Sequence, residues 1–434
     1  MAIWLWILAA WGISFAVLRK KRIAFEHLIW LLMPVDMYGV GIAGATFKPY
    51  MLFCVLLLLL RMLQQRRWVL QIRSWWSVYI GISALLFLGV NLFNNSSMRS
   101  VSASLMIVFV WLCSMIYVSC CAENTLEDVS EAMFAAGLGY GLVFAASAVL
   151  VSVNPQIPGL VAATREAPGI WMKFTSMANG MAIQSMRLRG FMIDPNSVLG
   201  PFVFCILIAL FRVMEGRAGL REILAMAISS LCIYLGNSRM GLLCFMILLM
   251  LGLFTGYRLA SVRVKNAMKL LLMLLILLAL VLTVSGVIPA AIGALMDSFV
   301  GRSSLNDPYG RLSIWKNAVS VWLERNMWLG IGYGQMRNYT TLKLDCHNTW
   351  LEMVCAGGIL IGGLMVLLFA GMIFKGLYTC VHLRRERGRL VWPIMLGVLG
   401  VMMAVTSVDN LTYSYLWFGG LLVAAISSRN WSRA

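Results

Sequence analysis

Apolar runs long enough to cross a bilayer follow one another along almost the whole chain. They lie at about 2–18, 24–44, 47–63, 75–92, 101–121, 129–153, 197–213, 222–237, 239–256, 268–288, 348–374, 391–408 and 412–427. Hydrocarbon offers no water to a backbone N–H or C=O, so each run must satisfy its own groups as a helix. The pattern predicts an all-α integral membrane protein of about 12–13 transmembrane helices. It reads as a single polytopic membrane domain over 1–434, with a long outer loop that contains short interfacial helices. Composition agrees, since only 12 % of the 434 residues are charged, about half the share in a soluble domain. The second run is interrupted by Pro34, Asp36, Gly39, Gly41 and Gly44, which leaves room for a partly re-entrant segment. The first residues carry no basic stretch and no small-residue cleavage pattern, so 1–18 reads as a retained span.

The chain is strongly basic, with a formal net charge of +18. The charges are dispersed among apolar runs, which argues against nucleic acid as a partner. Loops on the cytoplasmic side of a membrane are enriched in Lys and Arg. One alternating set of loops holds 22 of the 35 Lys and Arg residues, so that set is assigned to the cytoplasm. The N-terminus and the loops 154–196 and 289–347 then lie outside. These two long outer loops still retain positive charge. Long translocated loops tolerate it, and a polyanionic substrate arriving on that face would also account for it.

Individual positions narrow the choice. The first outer loop contains R-L-R-G-F-M-I-D-P-N, with Arg187, Arg189, Asp194, Pro195 and Asn196. Asp194 before Pro195 reads as a helix N-cap with proline at the first helical position. A guanidinium at the membrane surface either snorkels to headgroups or grips a diphosphate through two parallel hydrogen bonds. Arg239 lies in the short turn N-S-R-M-G at 237–241, and an arginine there is costly unless it faces protein or water. In the second outer loop, Leu312, Trp315, Val319 and Trp322 share one helical face. Such a helix would rest on the membrane surface with its indole rings at headgroup level. That packing does not explain Arg311, beside Gly310 and one turn before Trp315. The following L-G-I-G-Y-G, 329–334, suggests a close backbone bend, and as a phosphate loop it is weak because no G-K-[ST] follows.

The loop ends at Asp345-Cys346-His347-Asn348. His347 is the only one of three histidines at the outer mouth, and histidine is the side chain that changes charge near neutral pH. It suits a general base, although capping or packing would also explain a histidine at a helix start. Glu352, about one turn further, is an unusual charge in an apolar run. It is available to satisfy a neighbour or to orient a base. The ten cysteines form no C-x-x-C pair, and neither a disulfide framework nor a metal site is read from them.

Together these pieces resemble the superfamily of O-antigen ligases and polysaccharide polymerases. The resemblance rests on the arginine pair and D-P-N between Arg187 and Asn196, and on S-R-x-G-L from Ser238 to Leu242. It rests also on G-R-x-x-x-W, L-G-x-G-x-G and H-N-x-x-L in order between Gly310 and Gly357. It covers about residues 180–370. It implies a bacterial inner-membrane glycosyltransferase acting on the outer face, whose substrate is a polyprenyl-diphosphate-linked oligosaccharide within membrane lipid. Other polysaccharide-assembly membrane proteins are possible partners. By the same resemblance His347 is catalytic, and Arg189, Arg239 and Arg311 hold the lipid diphosphate. Arg187, Asn348 and Glu352 support them, and neither cofactor nor metal is needed. A polymerase is expected first, then a ligase moving finished glycan to a lipid, wall or protein acceptor. A flippase for the same lipid is less favoured, because no paired repeats are visible and the notable charges collect in loops. Single cysteines introduced in 154–196 and 289–347 are expected to react with an impermeant reagent in intact cells. Labelling of both loops only after permeabilisation would reverse the orientation.

Overall fold

A computed structural model describes residues 2–18, 24–42, 45–66, 70–72, 74–94, 96–121, 126–164, 167–178, 181–217, 219–260, 311–340, 343–382, 391–408 and 410–428, with isolated positions between 262 and 283. The run expected at 268–288, apart from residues 269, 273 and 283, and the first part of the loop expected at 289–347 lie outside the described residues. The described helices are α1 (Ala2–Val17), α2 (Ile29–Leu32), α3 (Pro49–Gln65), α4 (Trp75–Phe93), α5 (Met98–Cys120) and α6 (Leu126–Val153). They continue with α7 (Leu199–Met214), α8 (Leu220–Leu235), α9 (Arg239–Leu259), α10 (Arg311–Asn326), α11 (Met336–Tyr339) and α12 (Thr349–Gly358). The last three are α13 (Leu364–His382), α14 (Val391–Ala404) and α15 (Ser414–Ile426). Among the described residues, six helical stretches are long and apolar enough to cross a membrane, and four more apolar helices are shorter. The molecule is an all-α integral membrane protein, as the apolar runs predict. α7 is central, with 89 % of its apolar window buried, whereas α9 buries 28 % and offers its surface to lipid.

Three features depart from a stack of continuous helices. The expected span at 24–44 holds only a 3₁₀ turn, Phe25–Leu28, followed by α2. Pro34 lacks an N–H and disfavours helix in the residue before it, which stops the helix there. Beyond it the chain is irregular until a small hairpin, β1 (Val40–Ile42) with β2 (Ala45–Phe47). The freed N–H groups of Asp36 and Met37 donate to Phe191 O, and the buried Asp36 carboxylate pairs with Lys48 at 2.6 Å. A second hairpin, absent from the expected fold, occupies the stretch 154–196 that was expected to be a loop. There β4 (Trp171–Ala178) pairs antiparallel with β5 (Met181–Leu188), and β3 (Val161–Ala162) adds in parallel.

The third departure is a break in the helix expected over 348–374. α12 ends at Gly358, which has φ +64°, and a π turn over Ile359–Gly363 leads into α13. The break frees backbone groups, and the glycine-rich segment takes them. Ile331 N donates to Cys355 O at 3.0 Å and Gly332 N to Ala356 O at 2.9 Å. In return Ile359 N donates to Met327 O at 3.0 Å and Leu360 N to Trp328 O at 3.2 Å. Gly330, Gly332 and Gly334 all have positive φ, which only glycine adopts freely. The L-G-I-G-Y-G segment is thus a backbone wedge in a broken helix. Asn94, at the end of α4, donates to Gly330 O at 3.4 Å and so sets the wedge level with the α4–α5 turn.

α10 packs against α12. Its inward residues are Ile314 and Ala318, while Leu312 is exposed. Trp315 donates to Cys346 O and Trp322 to Met327 O. These indoles therefore point to protein backbone, and not to headgroups as a helix lying on the surface would have them. Cys346, expected in an open loop, is fully buried.

Opposite the hairpin end, Glu131 on α6 takes Arg212 and Arg221 at 2.5 Å each. Both guanidiniums sit 4.4 Å from the Phe134 ring centroid. This cluster ties the far ends of α6, α7 and α8. A Cβ at Gly358 would stand 2.1 Å from Trp328 O. Gly358→Ala is expected to destabilise the fold by about 1–3 kcal/mol, the range for forcing a strained backbone. Gly12→Ala, with nothing within 4 Å of its Cβ, is expected to be neutral or mildly stabilising. Thermal unfolding of the two detergent-purified variants checks the contrast.

Candidate active site

Five stretches far apart in sequence meet at the hairpin end. Asp194 accepts from Asn196 N at 2.8 Å and caps a 3₁₀ turn with Pro195 at its first position. Arg187, at the end of β5, donates through Nε to Gly236 O at 3.0 Å and through Nη2 to Asn196 Oδ1 at 3.3 Å. It therefore joins the D-P-N turn to the turn before α9. In that second turn Asn237 has φ +45° and Ser238 caps α9 by accepting from Gly241 N at 3.0 Å. Arg239 is the first residue of α9 and is partly exposed.

Arg311 opens α10, and its Nη2 donates to Ser407 O at 3.2 Å. The residue as a whole remains open to solvent. Partial loss of water around the guanidinium lowers its pKa, and the nearby charge of Asp194 opposes that shift. Arginine stays protonated through such a change. Arg311 and the D-P-N turn are therefore electrostatic neighbours.

His347 is half-buried, with φ +49°. Asn348 Oδ1 caps α12 by accepting from Trp350 N at 3.0 Å and Leu351 N at 3.1 Å. Thr349 donates to Val408 O at 2.6 Å, and its hydroxyl accepts from Asn410 N at 3.2 Å. Glu352 is buried, and its Oε1 accepts from Gly334 N at 3.1 Å. Its visible task is to hold the glycine wedge.

Arg189 is fully buried. Its Nε donates to Gly169 O at 3.1 Å, its Nη2 donates to Ala167 O, and it hydrogen-bonds Tyr38. This guanidinium braces the loop before β4. Gly190, beside it, has φ +61° and no room for a Cβ against the Phe144 ring.

The segment 405–413 is the part that sequence reasoning passed over. It connects α14 to α15, and the expected spans 391–408 and 412–427 covered all of it except 409–411. It takes Arg311 on Ser407 O and Thr349 on Val408 O. Tyr413 donates to Ser197 O at 2.5 Å, which closes the ring back to D-P-N. The available signal was its density of polar residues, Thr406, Ser407, Asp409, Asn410 and Thr412, between two apolar helices. The structure thus connects Arg187, Asp194, Arg311 and the start of α12, with Arg239 three residues from the carbonyl that holds Arg187.

The fold and this polar end define a multi-span membrane protein whose distinctive side chains gather at one end of a helical bundle. Residues 224–367 match the family model described as O-Antigen ligase. That match supports the superfamily of O-antigen ligases and polysaccharide polymerases, and with it a membrane glycosyltransferase of that type. The matched stretch includes Arg239, Arg311, His347, Asn348 and Glu352. No curated protein matches the chain.

Arg189→Ala is expected to cost about 2–6 kcal/mol, because two carbonyls lose a buried donor at about 1–3 kcal/mol each. Arg189→Lys should recover part of this. Lys316→Ala, on an exposed surface, should leave the unfolding temperature unchanged in the same assay.

Proposed function

We propose that the protein is a polysaccharide polymerase of the bacterial inner membrane, with its active site on the outer face. It transfers glycan from one polyprenyl diphosphate to a sugar hydroxyl of an acceptor glycan. The observation that carries the reading is the link from His347 to Arg311. His347 lies two residues from Thr349, whose hydroxyl is bound to the same 405–413 connector that takes Arg311. A base and a diphosphate-binding cation therefore flank one short segment.

His347 accepts the proton of the acceptor hydroxyl as that oxygen forms a bond to the anomeric carbon. The bond from that carbon to the phosphate oxygen breaks, and its electron pair leaves with the polyprenyl diphosphate. Arg311 and Arg239 meet the developing negative charge, which is stronger in the transition state than in the bound substrate. Arg187 positions the D-P-N turn against the turn that carries Arg239. Arg189 serves this site through the loop it braces.

The matched family description favours a second reading, transfer of a finished glycan to a lipid, wall or protein acceptor. Product length separates the two: a polymerase gives a ladder of repeat units, and a ligase gives one transfer per acceptor. In either case His347→Ala and His347→Gln should lower turnover on the order of 10²-fold or more while donor still binds. Arg311→Lys should keep little activity, because an ammonium cannot form the planar fork. Near-normal turnover in His347→Gln would refute the base role, and full activity in Arg311→Lys would show that position needs only a positive charge.

A further inference from the structure

Asn410 is 8 % exposed, and its Nδ2 has no hydrogen-bond partner among the described residues. Its other polar groups are engaged: the backbone N–H donates to Thr349 Oγ1 at 3.2 Å, and Oδ1 accepts from Thr412 Oγ1 at 3.1 Å. A buried donor without a partner costs about 1–3 kcal/mol and calls for an explanation. The residue lies in the connector between Ser407, which holds Arg311, and Tyr413, which holds the D-P-N turn. It is also outside the matched stretch 224–367.

We infer that Asn410 is a further diphosphate-binding residue, whose side-chain N–H₂ donates to a phosphate oxygen of the lipid-linked substrate. The inference rests on the transfer reaction proposed above. Chemistry favours an anionic partner over a sugar hydroxyl. The amide donor is three residues from the carbonyl that fixes the Arg311 guanidinium, and a donor on the same short connector as a held cation complements an anion. Hydrogen bonds to charged groups are the stronger ones, which suits a donor held idle until substrate arrives. The bonds to Thr349 and Thr412 hold the residue in position, so little side-chain freedom remains to be lost on binding.

Inorganic diphosphate serves as the probe, measured by its binding to the purified full-length protein. It carries no sugar and no acceptor, so the result does not depend on polymerase or ligase activity. Asn410→Ala should weaken its binding by roughly ten- to a hundredfold, the range for a hydrogen bond to a charged group. Asn410→Asp has the same shape but sets a negative charge against the ligand, so it should weaken binding further than Asn410→Ala. If the partner were a sugar hydroxyl, Asn410→Asp would bind diphosphate as wild type does, and the inference would fall. A purely structural asparagine would show lowered unfolding temperatures with diphosphate affinity unchanged, which also overturns it. Asn410→Ser, smaller but still a donor, supplies a folded comparison and should bind better than Asn410→Ala. Arg311→Ala separates this inference from the reading beneath it. Wild-type binding that Arg311→Ala does not weaken would contradict the diphosphate site as a whole. Binding that is lost in Arg311→Ala but intact in all three Asn410 variants would contradict Asn410 alone.

Discussion

Inside a bilayer an unpaired backbone group has no water to turn to, and this chain's interruptions are shaped by that constraint. Where α12 ends at Gly358, two carbonyls and two N–H groups are accounted for by the segment 327–332. Where the second run stops at Pro34, the N–H groups of Asp36 and Met37 reach Phe191 O. Where α14 gives way to α15, the carbonyls of Ser407 and Val408 are taken by Arg311 and Thr349. Each break is sealed by a segment distant in sequence. The loop end is therefore cross-linked by backbone contacts, and the side chains at that end inherit fixed positions.

Rigidity of this kind suits stabilisation of a developing charge, because donors that are already oriented need no reorganisation during reaction. The arginines divide accordingly. Arg189 is consumed by the loop carbonyls that surround it, and Arg187 by Gly236 and Asn196. Among the described residues, Arg311 keeps one carbonyl contact and an exposed surface. The charged cluster of Glu131, Arg212 and Arg221 lies at the opposite end. It belongs to the architecture of the bundle and not to this site.

The helical spans were legible because about 20 apolar residues admit one solution in hydrocarbon. Asp194-Pro195 was legible as a cap because both residue types act locally. The hairpin of β4 and β5 was not, since its residues Met172, Phe174, Ser176 and Ile183 show no clean alternation that marks a strand. The glycines at 330, 332 and 334 announced a bend, but their partner is a helix break more than twenty residues later in sequence. Arg189 looked like Arg311 in sequence, and only burial tells them apart. The connector 405–413 was hidden because it acts mostly through carbonyls, which every residue has.

In the reaction proposed above, glycan leaves a polyprenyl diphosphate under the action of His347. The direct measurement is the chemical state of the released lipid when purified protein in nanodiscs is given a defined polyprenyl-diphosphate-linked oligosaccharide. Release of intact polyprenyl diphosphate should depend on acceptor, be matched mole for mole by lengthened or transferred glycan, and be strongly reduced in folded His347→Ala. Release of polyprenyl monophosphate, or equal release in folded His347→Ala, would contradict that reaction.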